Sequence, residues 1–415
     1  MKILLLTDRI PPENRGGAGE VVWRVAQHLH HAGQHITVIA ATAGKPFEAI
    51  RAGIPTIHLH SHYPDRYRAY LSLYNPQTVG ALKNLYQQLQ PDIVHAHNIH
   101  TDLSYFSLTL AHQLKIPTVF TSHDVMPFAY HKLSHFIRPE TSDTAPHEYR
   151  LPFGYNLRQM RLRYNPVRNL AIRHILTQHV RVRLAPSQAL CTAHAANDLP
   201  PFECLHNGLD SADFGTSDAA IAALQDRLQL HGRKIILFAG RLTAAKGTVP
   251  LLQALNQVVQ RVPEALLLVL SSQPIETQMP AEFAHLQAQH IRSGGWLAGQ
   301  DLTAAFHVAD MVVVPSIIFD TFPTVNLEAM AAGKPVLATC YGGSREIVQD
   351  GSTGYIINPF ATADFAAKIT RLLHDTALCR QMGAAGQARL QTHFSMQQHS
   401  QTLLHHYERA RQLDH

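Results

Sequence analysis

Two carboxylates stand eight residues apart in the stretch DTFPTVNLEAMAAGKPV, which runs from Asp320 to Val336. Thr324 reads as the N-cap of a helix, VNLEAMAA, that Gly333 closes. Glu328 then falls about one turn inside the helix, and Asp320 stays in the loop before its mouth. A helix mouth carries unpaired N–H groups and a partial positive charge, so it suits a phosphate. A carboxylate one turn in can accept two hydrogen bonds from a ribose diol. A carboxylate in front can hold the hydroxyls of whatever extends beyond the phosphates. A nucleotide sugar has its parts in that order. Taken alone, the stretch reads more readily as an acidic loop before a helix-surface glutamate.

Other residues join it. FAGRLTAAKG (238–247) places Arg241 and Lys246 on the loop leaving an apolar strand, at the end where ligands bind in open parallel sheets. A guanidinium fork and an ammonium point charge together neutralise a diphosphate leaving group. The chain has no D-x-D tripeptide, the usual sign of a metal-held diphosphate, so no metal is expected. In NRGGAG, Gly16 and Gly17 let backbone approach a phosphate just before a helix. His123, in SHD, ends another strand. A single histidine is commonly structural, but a strand end is a functional position.

The elements that must position these residues follow from hydrophobic pattern. KILLLT (2–7), HITVIAA (35–41), DIVHAH (92–97) and TVFTSH (118–123) read as buried parallel strands, with RLAPS (183–187) and FECLHN (202–207) after them. Val21, Val22, Val25 and Leu29 share one face of a helix that Gly33 ends. The rhythm restarts with KIILFAG (234–240), ALLLVLS (265–271), DMVVVPS (310–316), PVLAT (335–339) and GYIIN (354–358). Strands alternating with helices predict an α/β fold of two doubly wound halves. The boundaries are 1–206 and 207–394, with a His- and Gln-rich helix over 395–415 that has little core of its own and packs on a half already formed.

A chain of 415 residues with 46% hydrophobic and 16% charged residues is globular, with ample core. Its net charge of +5 does not call for nucleic acid. Cys191, Cys204, Cys340 and Cys379 are scattered and suggest neither zinc nor a disulfide framework. The N-terminal apolar run is too short for a signal-peptide core, and no span crosses a membrane, so a cytoplasmic setting is expected. The 29 histidines cluster at His28, His30, His31 and at His58, His60, His62, in segments that look like solvated faces rather than metal sites. Residues 126–175 break the rhythm with seven arginines interleaved with aromatics. They read either as a surface loop with a basic helix or as an element meeting an anionic or membrane-surface acceptor.

With these residues in place, the sequence resembles the retaining glycosyltransferases of family 4, which have the GT-B architecture. The GG loop, DIVHAHN, TSHD, HNGLD followed by Phe214, AGRLTAAKG, the DTFPTVNLEAMAAGKPVLAT block and GGSREIVQDGSTGYIINP fall in family order. The resemblance implies two Rossmann-like domains facing across a cleft, the second binding a nucleotide-diphosphate sugar. Glu328 would take the ribose hydroxyls. Arg241 and Lys246 would hold the diphosphate, helped by backbone at Gly16, Gly17 and Val325. His123, Asp320, Thr321 and Phe322 would contact the transferred sugar. The acceptor would lie on the first domain, near Asn98, Asp124, Tyr130 and Arg138, with peripheral membrane association through 126–175 at the inner face of the membrane. The C-terminal helix would return to the first domain. No cofactor or metal is implied.

The sequence departs from the family pattern at Asp320, where Glu is usual, and at Pro323, where glycine is common. The shorter side chain puts the sugar contact, or the sugar itself, in question. Two rival functions keep the same fold: a nucleotide-sugar epimerase acting without an acceptor, and a non-catalytic sugar-nucleotide sensor. Arg292 and Trp296, in IRSGGWLAG, are open to a contact with the base, and Trp296 equally to a core role. Base, sugar, acceptor and oligomeric state are not legible.

Overall fold

The computed structural model describes residues 1–12, 17–140 and 147–413. The chain forms two compact units. The first comprises Met1–Leu133, Glu148–Asn207 and Met396–His415, and the second Ser134–His147 and Gly208–Ser395. The segment 134–147, which its place in the chain groups with the first half, thus clusters with the second unit and takes Arg138 with it.

In the first unit, β1 (Lys2–Leu6), β2 (His35–Thr42), β3 (Phe47–Arg51), β4 (Ile54–His60), β5 (Ile93–Ala96), β6 (Thr118–Thr121), β7 (Val182–Ala185) and β8 (Glu203–Cys204) form one sheet. Its order is β3-β4-β2-β1-β5-β6-β7-β8, parallel except for β3 against β4. Ile3, Leu5, Val38 and Ala40 point to a core shared with Val22, Val25 and Leu29 of the helix Gly17–His31. Leu403, Tyr407 and Ala410 of the helix Met396–Gln412 enter the same core. That C-terminal helix is therefore part of the first unit.

The β3–β4 pair is absent from the sequence reading. His58, assigned there to a solvated face, is buried in β4, and its ring stacks on Phe47 at 4.1 Å. Residues 125–133 also differ from a surface loop. Val125, Phe128, Ala129, Tyr130 and Leu133 are all buried. Arg168 acts as an internal strut: it donates to Met126 O at 2.8 Å and to Ser72 Oγ at 3.2 Å, and its guanidinium lies 4.7 Å from the Tyr130 ring centroid.

In the second unit, β9 (Lys234–Ala239), β10 (Ala265–Leu270), β11 (Ile291–Ser293), β12 (Met311–Val314), β13 (Val336–Thr339) and β14 (Gly354–Ile357) form a fully parallel sheet of order β11-β10-β9-β12-β13-β14. Alternate residues feed two cores: Leu237, Leu266, Leu268 and Val312 on one face, Ile236, Leu267, Val269 and Val313 on the other. Burial on both faces is why these strands read as continuous apolar runs. Counted from β9, the order is that of a dinucleotide-binding Rossmann sheet, and it reverses between β9 and β12.

Candidate functional site

At such a reversal, the loops leaving the two strands diverge to opposite faces and leave a crevice at the carboxyl ends. The loop after β9 carries Arg241 and Lys246, and the loop after β12 carries Ser316 to Pro323. These loops touch. Ile317 N donates to Ala245 O at 3.0 Å, and a Cβ on Gly247 would stand 1.9 Å from Pro315 O. Gly247 has φ +76°, so any side chain there would meet both strain and a carbonyl.

This approach brings two predicted site residues together. Lys246 Nζ lies 2.6 Å from Asp320 Oδ2, and Ser316 Oγ donates to the same oxygen at 2.8 Å. Lys246 is more exposed than Asp320, at 30% against 15% for the side chains, so the ammonium has the freer approach to solvent. Asp320 is fixed from a third side by the loop after β13. Gly343 N donates to Asp320 O at 2.9 Å, and a Cβ on Gly342 would sit 2.2 Å from that carbonyl. Behind the loop, Phe319 and Tyr341 pack on Phe136.

The helix after Asp320 spans Thr324–Ala331, and its N-cap is Pro323 rather than Thr324. Pro323 holds φ −68° and ψ 110°, extended backbone that ends where the helix begins, so Thr324 is already the first helical residue. Gly333 ends the helix with φ +66°. Glu328 and Val325 are half-buried in the helix, and Thr321 is half-buried before it. Phe322 is not a free contact: its ring is buried and packs edge-on to Phe394 at 6.1 Å, leaving only its backbone for a ligand. Arg241 is exposed. Trp296 is 49% exposed, which removes it from the core, and Arg292 on β11 has its Nε buried without a partner among the described residues.

The first unit holds its own cluster at the carboxyl ends of β1, β5 and β6. His123 is buried two residues past β6, and its Nε2 lies 3.0 Å from Nδ1 of His97, just past β5. Burial pushes His123 down to about 4 and His97 well below the ordinary histidine range, so both rings are neutral near pH 7. His95 joins them with its ring tilted against that of His97, centroids 4.0 Å apart, with Tyr407 Oη 2.7 Å from its Nδ1 and Thr121 Oγ1 2.8 Å from its Nε2. Asp8, one residue beyond Thr7 at the end of β1, accepts backbone N–H bonds from Thr101, Asp102 and Leu103 at 2.7–2.9 Å. Burial pushes its carboxyl up to about 6 in spite of those three donors.

Of the proposed acceptor residues, Asn98 is half-buried, with its carbonyl accepting from Asp8 N at 2.7 Å. Asp124 pairs with His100 at 3.5 Å. Tyr130 is buried and its hydroxyl donates to Asn165 O at 2.9 Å, so it serves the core rather than an acceptor. Arg138 is exposed and belongs to the second unit, not the first. Gly17 opens the helix Gly17–His31, while Gly16 lies outside the described residues. The sequence reading did not single out Ser316, His97 or Asp8, which the structure places in contact with the predicted Asp320, His123 and Asn98. Each is the polar residue at or just past the carboxyl end of an apolar strand, which is the signal that would have found them.

Residues 222–389 match the glycosyl transferases group 1 family, and residues 15–213 match glycosyltransferase family 4. The two matches follow one another along most of the chain, and the chain belongs to these group 1 and family 4 glycosyltransferases. Among curated relatives, spore coat protein SA of Bacillus subtilis is 29% identical over 196 residues, covering 45% of this chain and 52% of that protein. A sulfoquinovosyl transferase of Arabidopsis thaliana is 25% identical over 363 residues, covering 84% and 62%. A GDP-mannose-dependent alpha-(1-6)-phosphatidylinositol monomannoside mannosyltransferase of Mycobacterium tuberculosis is 31% identical over 201 residues, covering 47% and 52%. The chain spans about half the length of the curated relatives it matches. Among solved structures, sucrose-phosphate synthase from Thermosynechococcus elongatus aligns with TM-score 0.73 at 20% identity, covering 98% of both chains. Anabaena HepE in complex with UDP-glucose aligns with TM-score 0.70 at 19% identity, covering 98% and 99%. The fold is GT-B: two Rossmann-like parallel-sheet units in one chain.

Proposed function

We propose that the chain is a retaining, metal-independent glycosyltransferase that moves a sugar from a nucleotide-diphosphate sugar to a hydroxyl of a glycan, lipid-linked or small-molecule acceptor. The observation that carries this reading is the Lys246–Asp320 pair at 2.6 Å, set at the sheet reversal in front of the helix that bears Glu328. In the unliganded site the carboxylate holds the ammonium in place. When the diphosphate arrives, Lys246 turns to its oxygens, with Arg241 as the second cation and the first-turn amides of the helix Thr324–Ala331 as neutral donors. Asp320, released from part of its pairing with Lys246, accepts from sugar hydroxyls. Glu328 takes the ribose. The leaving phosphate oxygen, rather than a protein nucleophile, assists removal of the acceptor proton on the same face, and configuration is retained.

Neutral His123 suits a hydrogen-bonding role toward the sugar rather than that of a charged group. The relatives point the donor search to UDP- and GDP-sugars, because HepE was solved with UDP-glucose and the mannosyltransferase is GDP-mannose-dependent. A lipid-linked acceptor would bring the first unit to a membrane surface through the exposed part of the expected 126–175 segment, residues 153–173, with the cytoplasmic face as the setting. The test is a thermal-shift screen over UDP-, GDP-, ADP- and dTDP-sugars, followed by turnover with the donor that binds. A donor that stabilises wild type but equally the Lys246→Ala and Glu328→Ala variants would refute the assignment.

A further inference from the structure

One face of the first unit exposes large apolar side chains among arginines. Phe153 and Leu162 are fully exposed, at 101% and 102%, and Leu170 is 67% exposed; Leu157 and Val167 stand out beside them. The segment 67–74 runs alongside, joined by Asn165 Nδ2 donating to Ala69 O at 3.0 Å and Tyr70 Oη donating to Tyr164 O at 3.5 Å. It adds exposed Tyr67, Tyr70 and Tyr74 to the apolar face. Asn156 and Asn169 both donate to Phe128 O, at 2.9 and 2.7 Å, so the helices Tyr155–Met160 and Arg168–Gln178 are pinned to one point. The patch is thus built on the buried Phe128–Tyr130–Arg168 support.

Its charge is predominantly positive. No Asp or Glu occurs between Glu148 and Asp198, while Arg158, Arg161, Arg163 and Arg173 are all exposed there. Beside Leu170, a cleft of about 250 Å³ is lined by Asn156, Asn169, Arg173 and Asn197 among others. Arg150 at its rim pairs with Asp198 at 3.3 Å, and Arg173 is the second arginine lining the cleft.

We infer that this face docks on an anionic lipid bilayer, with Phe153, Leu157 and Leu162 entering the boundary of the acyl chains and the arginines lying among the headgroup phosphates. The chemistry favours this occupant over others. Exposed apolar side chains gain free energy only in an apolar medium, and long arginine stems reach from that medium to phosphate. A second copy would oppose arginine to arginine, and a nucleic-acid backbone has no place for a fully exposed phenylalanine and leucine. This deepens the proposed function by supplying the surface on which a lipid-linked acceptor is met. It rests on that reading for its purpose, while its measurement needs no turnover.

The experiment is co-sedimentation of the full chain with phosphatidylcholine vesicles, with and without phosphatidylglycerol. Binding is expected only with the anionic lipid and should weaken with salt. Arg158→Gln, Arg161→Gln and Arg163→Gln together should lower partitioning roughly a hundredfold. Phe153→Ser with Leu162→Ser should lower it roughly tenfold or more. Donor-induced thermal shifts should be unchanged in both variants, which shows that they fold. Loss of donor binding by wild type with vesicle binding intact would overturn the transferase reading but not this one. Equal binding to both vesicle types, no binding at low salt, or self-association abolished by Phe153→Ser with Leu162→Ser would overturn the docking surface.

Discussion

Acid should loosen the first unit, because that unit buries its histidines neutral. His123 and His399 are pushed down to about 4 and His194 to about 3, all by burial. In the unfolded chain these imidazoles bind protons below about 6.5. The folded values lie lower, so the stability they permit is full above that pH and is lost as pH falls toward 4. At pH 5.5 each group costs about 1.4 kcal/mol, roughly 4 kcal/mol for three. Asp8 acts in the opposite sense. Its carboxyl, raised to about 6, holds a proton that the unfolded aspartate has released, which returns roughly 1 kcal/mol at the same pH. From these four groups the net loss is about 3 kcal/mol, a drop of roughly 6–12 °C in unfolding temperature, and His95 and His97, held lower still by burial, act in the same direction. Thermal unfolding between pH 8 and 5 measures it. His194 supplies the internal control. Both its ring nitrogens are buried without a partner among the described residues, and the ring packs on Phe128 and Phe202. His194→Leu removes the titrating group from an apolar site and should take about 1.4 kcal/mol, nearly half, off that net loss. An unfolding temperature that stays level from pH 7.5 to 5.5, or an unchanged slope in His194→Leu, would refute the reasoning.

Three further outcomes are expected. Lys246→Ala should cut turnover about 10²–10³-fold, while its unfolding temperature stays within a few degrees, since a half-exposed ion pair contributes at most about 1 kcal/mol; steady-state kinetics beside calorimetry separates the two. Gly342→Ala should lower stability by about 2 kcal/mol or more in urea unfolding, because its Cβ would stand 2.2 Å from Asp320 O in a residue at φ +88°. Asp8→Asn should cost about 2 kcal/mol, since an amide NH₂ would face N–H groups that now meet a carboxylate.

Much of the second unit was legible because its chemistry and its fold share one signal. Each strand is an apolar run, and each run ends in the residues that face the ligand edge of a parallel sheet. The strands β9, β10 and β12 to β14, and the loops carrying Arg241, Lys246 and Asp320, follow from that rule alone. The contact between Lys246 and Asp320 did not follow. Their separation in sequence is closed by the sheet order, which places β12 next to β9, and no local pattern states that order. The first unit hid more. β3 and β4 carry Glu, Arg and His among their apolar residues, so His58 looked solvated although it stacks inside on Phe47. Residues 126–175 mixed two uses of arginine that composition does not separate. Arg168 is buried and spends its donors on Ser72, Asn169 and Met126, whereas Arg158, Arg161 and Arg163 face solvent. Tyr130 looked like an acceptor contact for the same reason, and it is the ring beneath Arg168.

The departure at Asp320 has a physical account once the pair is seen. A carboxylate on the loop after β12 must meet an ammonium held by Gly247 against Pro315, and the backbone on both sides is fixed, by Ile317 N to Ala245 O and by Gly343 N to Asp320 O. With both ends fixed, side-chain length sets the distance. Aspartate reaches Lys246 at 2.6 Å and accepts from Ser316 at 2.8 Å. One more methylene would lengthen the reach by roughly 1.5 Å and move the carboxylate off the position where it meets both Lys246 and Ser316. The shorter acid therefore trades reach toward a sugar for a tighter hold on the lysine. Under the proposed reading, a site built that way would receive the diphosphate with its cation already placed.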